Sequence, residues 1–173
     1  GEFGMFTGAY SFLNVFLLML IWGGLILDKF GIRFTGILAT VLMVGGTAVE
    51  YIAITQYGGT SEMLWGYKLD VLMASAGYSV FGVGAEVAGI TVTKIIAKWF
   101  KGKEIALAMG VQVALARIGS QAAYAIAIPV AKAYSLETPL FIGAAVLVGG
   151  FFAFLAFSLM DRKLDKQVRI STT

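Results

Sequence analysis

The sequence contains no cysteine and no histidine. Disulfides, thiolate metal sites, cysteine nucleophiles and imidazole acid–base chemistry are therefore excluded. Carboxylates, hydroxyls, lysine and arginine remain. Charge of either sign is also scarce, with 13% of residues ionisable where soluble domains carry about 25%. Hydrophobic residues make up 59% of the chain against the usual ~45–50%. They fall in long runs rather than in alternation, which is the pattern of membrane spans. The net charge of +3 is no sign of nucleic-acid binding, because the basic residues sit at the ends of the apolar runs and act as topology signals. No nucleic-acid partner, metal or cofactor is expected, and the lipid bilayer is the first partner. Glycine, at 22 residues, lies well above its usual ~7% and lets helices approach closely.

The apolar runs predict five transmembrane helices, at about residues 6–27, 34–54, 71–97, 105–131 and 139–160. The third exceeds the ~20 residues a span needs, so it tilts or protrudes. Its Gly77, Gly82, Gly84 and Gly89, with Ser75, Ala76 and Ser79, form a small-residue face for helix contact. Pro129 marks the fraying end of the fourth span. Lys29, Arg33, Lys94, Lys98, Lys101, Lys103, Arg162, Lys163, Lys166 and Arg169 fall on one side of the membrane, and Lys68 and Lys132 on the other. The richer side is expected to be cytoplasmic, with the N-terminus outside.

Two spans carry an ionisable residue deep inside: Glu86 and Arg117. They lie equally far from the point between Lys101 and Gly102, in the basic loop that joins their spans. In helices rising ~1.5 Å per residue, both charges reach nearly the same depth, roughly 20 Å from the loop's tip. An isolated charge there is costly, so such residues pair, face a watery cavity or bind something. One reading is an ion pair that locks two helices, although desolvation can cancel the gain. The other is a site for a zwitterion, with Glu86 on the amine and Arg117 on the carboxylate. Tyr10, Asn14, Gln112, Ser120, Gln121 and Tyr124 are candidates to line that cavity or to bond between helices. Glu50 and Lys94, nearer the helix ends, are expected to snorkel to water. No enzyme is expected, since Glu86 and Arg117 supply neither a nucleophile nor a metal site.

Between the first two spans, Gly24, Asp28, Lys29, Gly31 and Arg33 follow one another as Gly-x-x-x-Asp-Lys-x-Gly-x-Arg. This resembles the signature loop between the second and third helices of the major facilitator superfamily. In that superfamily the loop belongs to the cytoplasmic gate between two six-helix halves. The stretches Gly82-Val83-Gly84-Ala85-Glu86, Lys98-Trp99-Phe100-Lys101-Gly102-Lys103-Glu104 and Ala116-Arg117-Ile118-Gly119-Ser120 are similar to one branch of it. That branch holds the lysosomal dipeptide transporters of animals and their bacterial relatives. Tyr10-Ser11-Phe12-Leu13-Asn14-Val15 resembles the same branch, with Leu13 standing where its members have Pro.

The resemblance implies an all-α membrane protein whose five helices form most of one six-helix half of a major-facilitator fold, corresponding to helices two to six. It implies that Glu86 and Arg117 hold the two ends of a dipeptide, and that transport proceeds by alternating access of two halves around a midplane site. A second half, in a longer chain or a partner chain, is then needed. The bacterial inner (plasma) membrane is the expected location. Transport of another small solute on the same scaffold, or a non-transporting scaffold or partner subunit, are the alternatives.

Overall fold

The computed structural model describes residues 4, 8–9, 11–12, 19–59, 63–64, 67–100, 102, 104–135 and 137–171. Four helices dominate: α1 (Met19–Tyr57), α2 (Leu69–Trp99), α3 (Ile105–Ala133) and α4 (Glu137–Ser171). A two-residue hairpin, β1 (Met63–Leu64) paired antiparallel with β2 (Tyr67–Lys68), fills the loop between α1 and α2. All four helices are long and apolar enough to cross a membrane. Helix is the natural outcome for such runs, because lipid offers no partner for unsatisfied backbone groups.

Among the described residues, four span-length helices stand where five were expected, because one helix joins the first two expected spans. Helix α1 takes in the end of the first expected span, from Met19, and the whole of the second, and is broken only at Gly31, whose φ of 81° and ψ of 171° are not helical. That backbone region is open essentially to glycine alone. Packing shows what the break does. Before it, Gly23 lies against Val87 and Ile90 of α2, while after it Ala39 and Met43 lie against Gly84, and Gly46 and Glu50 against Gly77. With Asp28 paired to Lys94, contacts climb α2 on the way to Gly31 and descend it afterwards, so the two arms of α1 run in opposite directions.

The α1–α2 seam is the tightest in the described structure, and glycine makes it so. A methyl added at Gly84 would stand 2.7 Å from the Ala39 carbonyl oxygen and 2.9 Å from the Met43 nitrogen. The expected small-residue face is thus used at Gly77 and Gly84, whereas Gly89 faces open space. Four hydroxyls along the seam need no interhelical partner, whereas the buried Ser75 hydroxyl finds no hydrogen-bond partner among the described residues. Thr35, Thr47, Ser79 and Thr91 each donate to the carbonyl four residues earlier in their own helix, which satisfies them in apolar surroundings.

Helix α4 packs on α1, where the Phe154 ring lies over Gly36. Helix α3 touches α2 and α4 only thinly and buries none of its residues. It also continues through Pro129 to Ala133, one turn beyond the expected fraying. The proline withholds one hydrogen bond, to the Ala125 carbonyl, and a helix end tolerates that loss.

Candidate functional site

Charge gathers where the Gly31 turn, the end of α2 and the last part of α4 meet. Asp161 is the centre, and its side chain is fully buried. Lys98 donates to its Oδ1 at 2.7 Å, and the Trp99 indole Nε1 donates to the same oxygen at 3.2 Å. Arg33 Nε lies 3.0 Å from Oδ2, close enough for an ion pair although not aligned as a hydrogen bond. One turn on, Asp165 binds the same two cations: Lys98 at 2.8 Å and Arg33 through its guanidinium. Two basic residues from separate helices thus clamp two carboxylates spaced four apart on a third.

An aromatic column backs the clamp from the apolar side. Phe154 packs on Phe157 at 5.6 Å between ring centroids, and Phe157 on Trp99 at 5.7 Å. The column and the clamp together join α1, α2 and α4 at one end.

Burial ranks the ion pairs. Breaking a buried pair by deleting one partner costs ~3–5 kcal/mol, whereas exposed pairs are worth ~0–1 kcal/mol. Asp161 belongs near the first case. Asp28 pairs with Lys94, but its side chain is 77% exposed and that of Lys94 43%, so this pair belongs to the second. Of the motif residues, then, Arg33 makes the buried ion pair and Gly31 the break in the helix. Asp28 adds a minor tie, Lys29 lies over the Phe30 ring, and Gly24 has open space around it. Lys94, expected to snorkel, has a partly exposed side chain and pairs there with the exposed Asp28.

Glu86 and Arg117 are not brought together as an ion pair. Glu86 is half-buried on α2, whereas Arg117 is exposed on α3, the helix that packs least. Gln112 is half-buried beside a hollow of about 480 Å³ between α2 and α3, with Val92, Ile96 and Leu115. Tyr124 is 72% exposed. Ser120 and Gln121 are exposed as well, and the Ser120 hydroxyl donates to the Ala116 carbonyl in its own helix. Tyr10 and Asn14 lie outside the described residues.

Glu50 contradicts its expectation of reaching water. It is 9% exposed and lines a mostly apolar hollow of about 530 Å³ with Thr47, Tyr78 and Phe81, bordered on the far side by α3 and the start of α4. The cause is the Gly46–Gly77 crossing, where the backbones approach so closely that the Glu50 stem is held against Gly77. Asp161 and Asp165 were missed as well. Their spacing of four, with Arg162, Lys163 and Lys166 on other faces, was the available signal.

These features define a multi-pass helical membrane protein whose helix ends are tied together by buried charge at a glycine turn. Neither a protein-family model nor a solved structure matches the chain. Curated relatives do. The lysosomal dipeptide transporter MFSD1 of Mus musculus is 28% identical over 176 residues, covering 95% of this chain and 35% of that protein. The protein of that name from Homo sapiens is 32% identical over 120 residues, covering 69% of this chain and 23% of that one. Its counterpart from Bos taurus is 33% identical over 120 residues, with the same coverage of 69% and 23%. The chain thus spans about a third or less of the length of these relatives. It belongs to the major facilitator superfamily, in the branch of the lysosomal dipeptide transporters.

Proposed function

We propose that this chain is part of the N-terminal half of a secondary transporter that moves small zwitterionic peptides, dipeptides above all, by alternating access. The observation that carries the reading is the Gly24–Arg33 motif, whose arginine is clamped to a buried aspartate on another helix. A motif that merely marked a membrane boundary would not need its cation tied to a carboxylate withdrawn from water. The names of the relatives supply the substrate class.

In this mechanism the clamp closes one end of the bundle. Gly31 allows the arms of α1, taken as two separate spans, to shift against each other, and the aromatic column moves with α4. Glu86 takes the peptide's ammonium group and Arg117 its carboxylate, with the planar guanidinium fork matching the two oxygens. Arg117 stands on the loosely packed α3, so it is free to travel towards Glu86 as a substrate bridges them. Gln112 and Tyr124, together with Tyr10 and Asn14, would complete the wall of the site. Positive charge at the clamped end fits the cytoplasmic face of a bacterial inner membrane.

A second reading, a membrane partner that transports nothing itself, draws on α3, none of whose residues is buried. Uptake of a dipeptide into liposomes holding the native protein separates the two. Transport predicts uptake that collapses with Arg117→Ala while the variant still folds. Uptake indifferent to that substitution, or none at all, favours the partner role.

A further inference from the structure

Two hollows adjoin at the clamped end and share Arg33, Lys98 and Arg162. The first, about 630 Å³, is walled on one side by Phe30, Phe34 and Ile37. Phe30 and Phe34 sit four residues apart with ring centroids 5.0 Å from each other, and about half of each side chain is exposed. The second, about 800 Å³, lies further along α4 and includes Lys166. The cations fall into two sets. Arg33 and Lys98 are neutralised by Asp161 and Asp165, and Lys94, which also lines the first hollow, is paired with Asp28. Arg162 and Lys166 are exposed and form no ion pair among the described residues.

The cleft therefore runs from an apolar wall in the first hollow, past the neutral clamp and Arg162, which lines both hollows, to Lys166 in the second. A glycerophospholipid has the same order, acyl chain first and phosphate last. We propose that this cleft seats an anionic phospholipid of the adjoining leaflet, its phosphate against Arg162 and Lys166 and one acyl chain along Phe30, Phe34 and Ile37. Basic hollows between helices at a membrane face are suited to such headgroups. Charge complementarity selects this occupant. A zwitterionic lipid would bring an ammonium group to carboxylates that already hold cations. Free phosphate would leave the aromatic wall wet, and an apolar helix would leave both cations uncompensated.

The test uses the delipidated protein in neutral detergent, titrated with phosphatidylglycerol, with phosphatidylcholine of the same chains, and with glycerol 3-phosphate. Bound lipid is counted by native mass spectrometry, and the unfolding temperature is followed in parallel. Phosphatidylglycerol is expected to bind and to raise the unfolding temperature, phosphatidylcholine to bind at least ten-fold more weakly, and glycerol 3-phosphate to do nothing. Each cation removed weakens phosphatidylglycerol binding roughly five-fold, in Arg162→Gln and in Lys166→Gln separately, and roughly twenty-fold together. Because neither residue belongs to the Asp161 clamp, both single variants are expected to keep native helicity. Equal binding of the two lipids, equal protection by glycerol 3-phosphate, or native affinity in the folded variants would overturn the proposal.

Discussion

Arg33, two residues past the break in α1, faces Asp161, deep in α4, with Nε 3.0 Å from a carboxylate oxygen that is shielded from water. The pair spans most of the described sequence and ties the turn to the far end of the last helix. Several expectations rest on that bond and on the glycines beside it.

Deleting Arg33 leaves Asp161 with Lys98 and Trp99 alone. The Arg33 side chain is 34% exposed, so Arg33→Ala should cost less than a fully buried pair, roughly 2–3 kcal/mol. Asp28→Ala, which removes an exposed partner, should cost under ~1 kcal/mol. Unfolding of both variants in mixed micelles, followed by circular dichroism, checks the order. A reversed order would mean that burial does not govern this cluster.

Gly31 has nothing crowding it, so its importance lies in the backbone alone. Gly31→Ala should destabilise by ~1–3 kcal/mol, the cost of holding a side-chain-bearing residue in that region. Unfolding in mixed micelles reads it directly. An unchanged midpoint would mean that the turn is not the pivot.

Gly84 and Gly89 lie on one helix and make opposite predictions. A methyl at Gly84 meets backbone atoms that cannot move aside, and Gly84→Ala should cost ~1–3 kcal/mol. At Gly89 the methyl meets open space, and the better helix propensity of alanine should give ~0.5–1 kcal/mol of added stability. Comparison of the two midpoints decides whether the α1–α2 seam is as close as described.

The clamp also predicts access. No cysteine is present in the native sequence, so one introduced at Ser158, buried beside the clamp, reports on its opening. Labelling of Ser158→Cys by a water-soluble maleimide should be slow, and faster by ten-fold or more when Arg33→Ala and Lys98→Ala are added. Equal rates would show that the clamp does not close this end.

Much of this arrangement was legible in the sequence, for reasons that differ from residue to residue. Span-length helices follow from apolar runs that need no long-range information. The turn at Gly31 was visible because a pair of opposite charges, then the glycine, then Arg33 interrupt an apolar run. The position of Asp161 was not legible, since it stands beside Arg162 and Lys163 and reads as boundary punctuation. Its burial arises only when α4 lies across α1 and α2. Glu50 was misjudged for a similar reason. Counting residues from the turn gives its height along the helix, but its burial depends on how closely Gly46 and Gly77 cross. Glu86 and Arg117 share a depth by sequence, yet their separation depends on how α3 packs.

The most direct measurement is heat protection of the native protein by a dipeptide, set beside its N-acetylated and C-amidated forms and repeated in Glu86→Gln and Arg117→Gln. If the two charges grip a zwitterion, the free dipeptide raises the unfolding temperature, each capped form loses most of that effect, and each variant loses it for every ligand. Protection that survives capping of either end, or that persists in both variants, would contradict the peptide site.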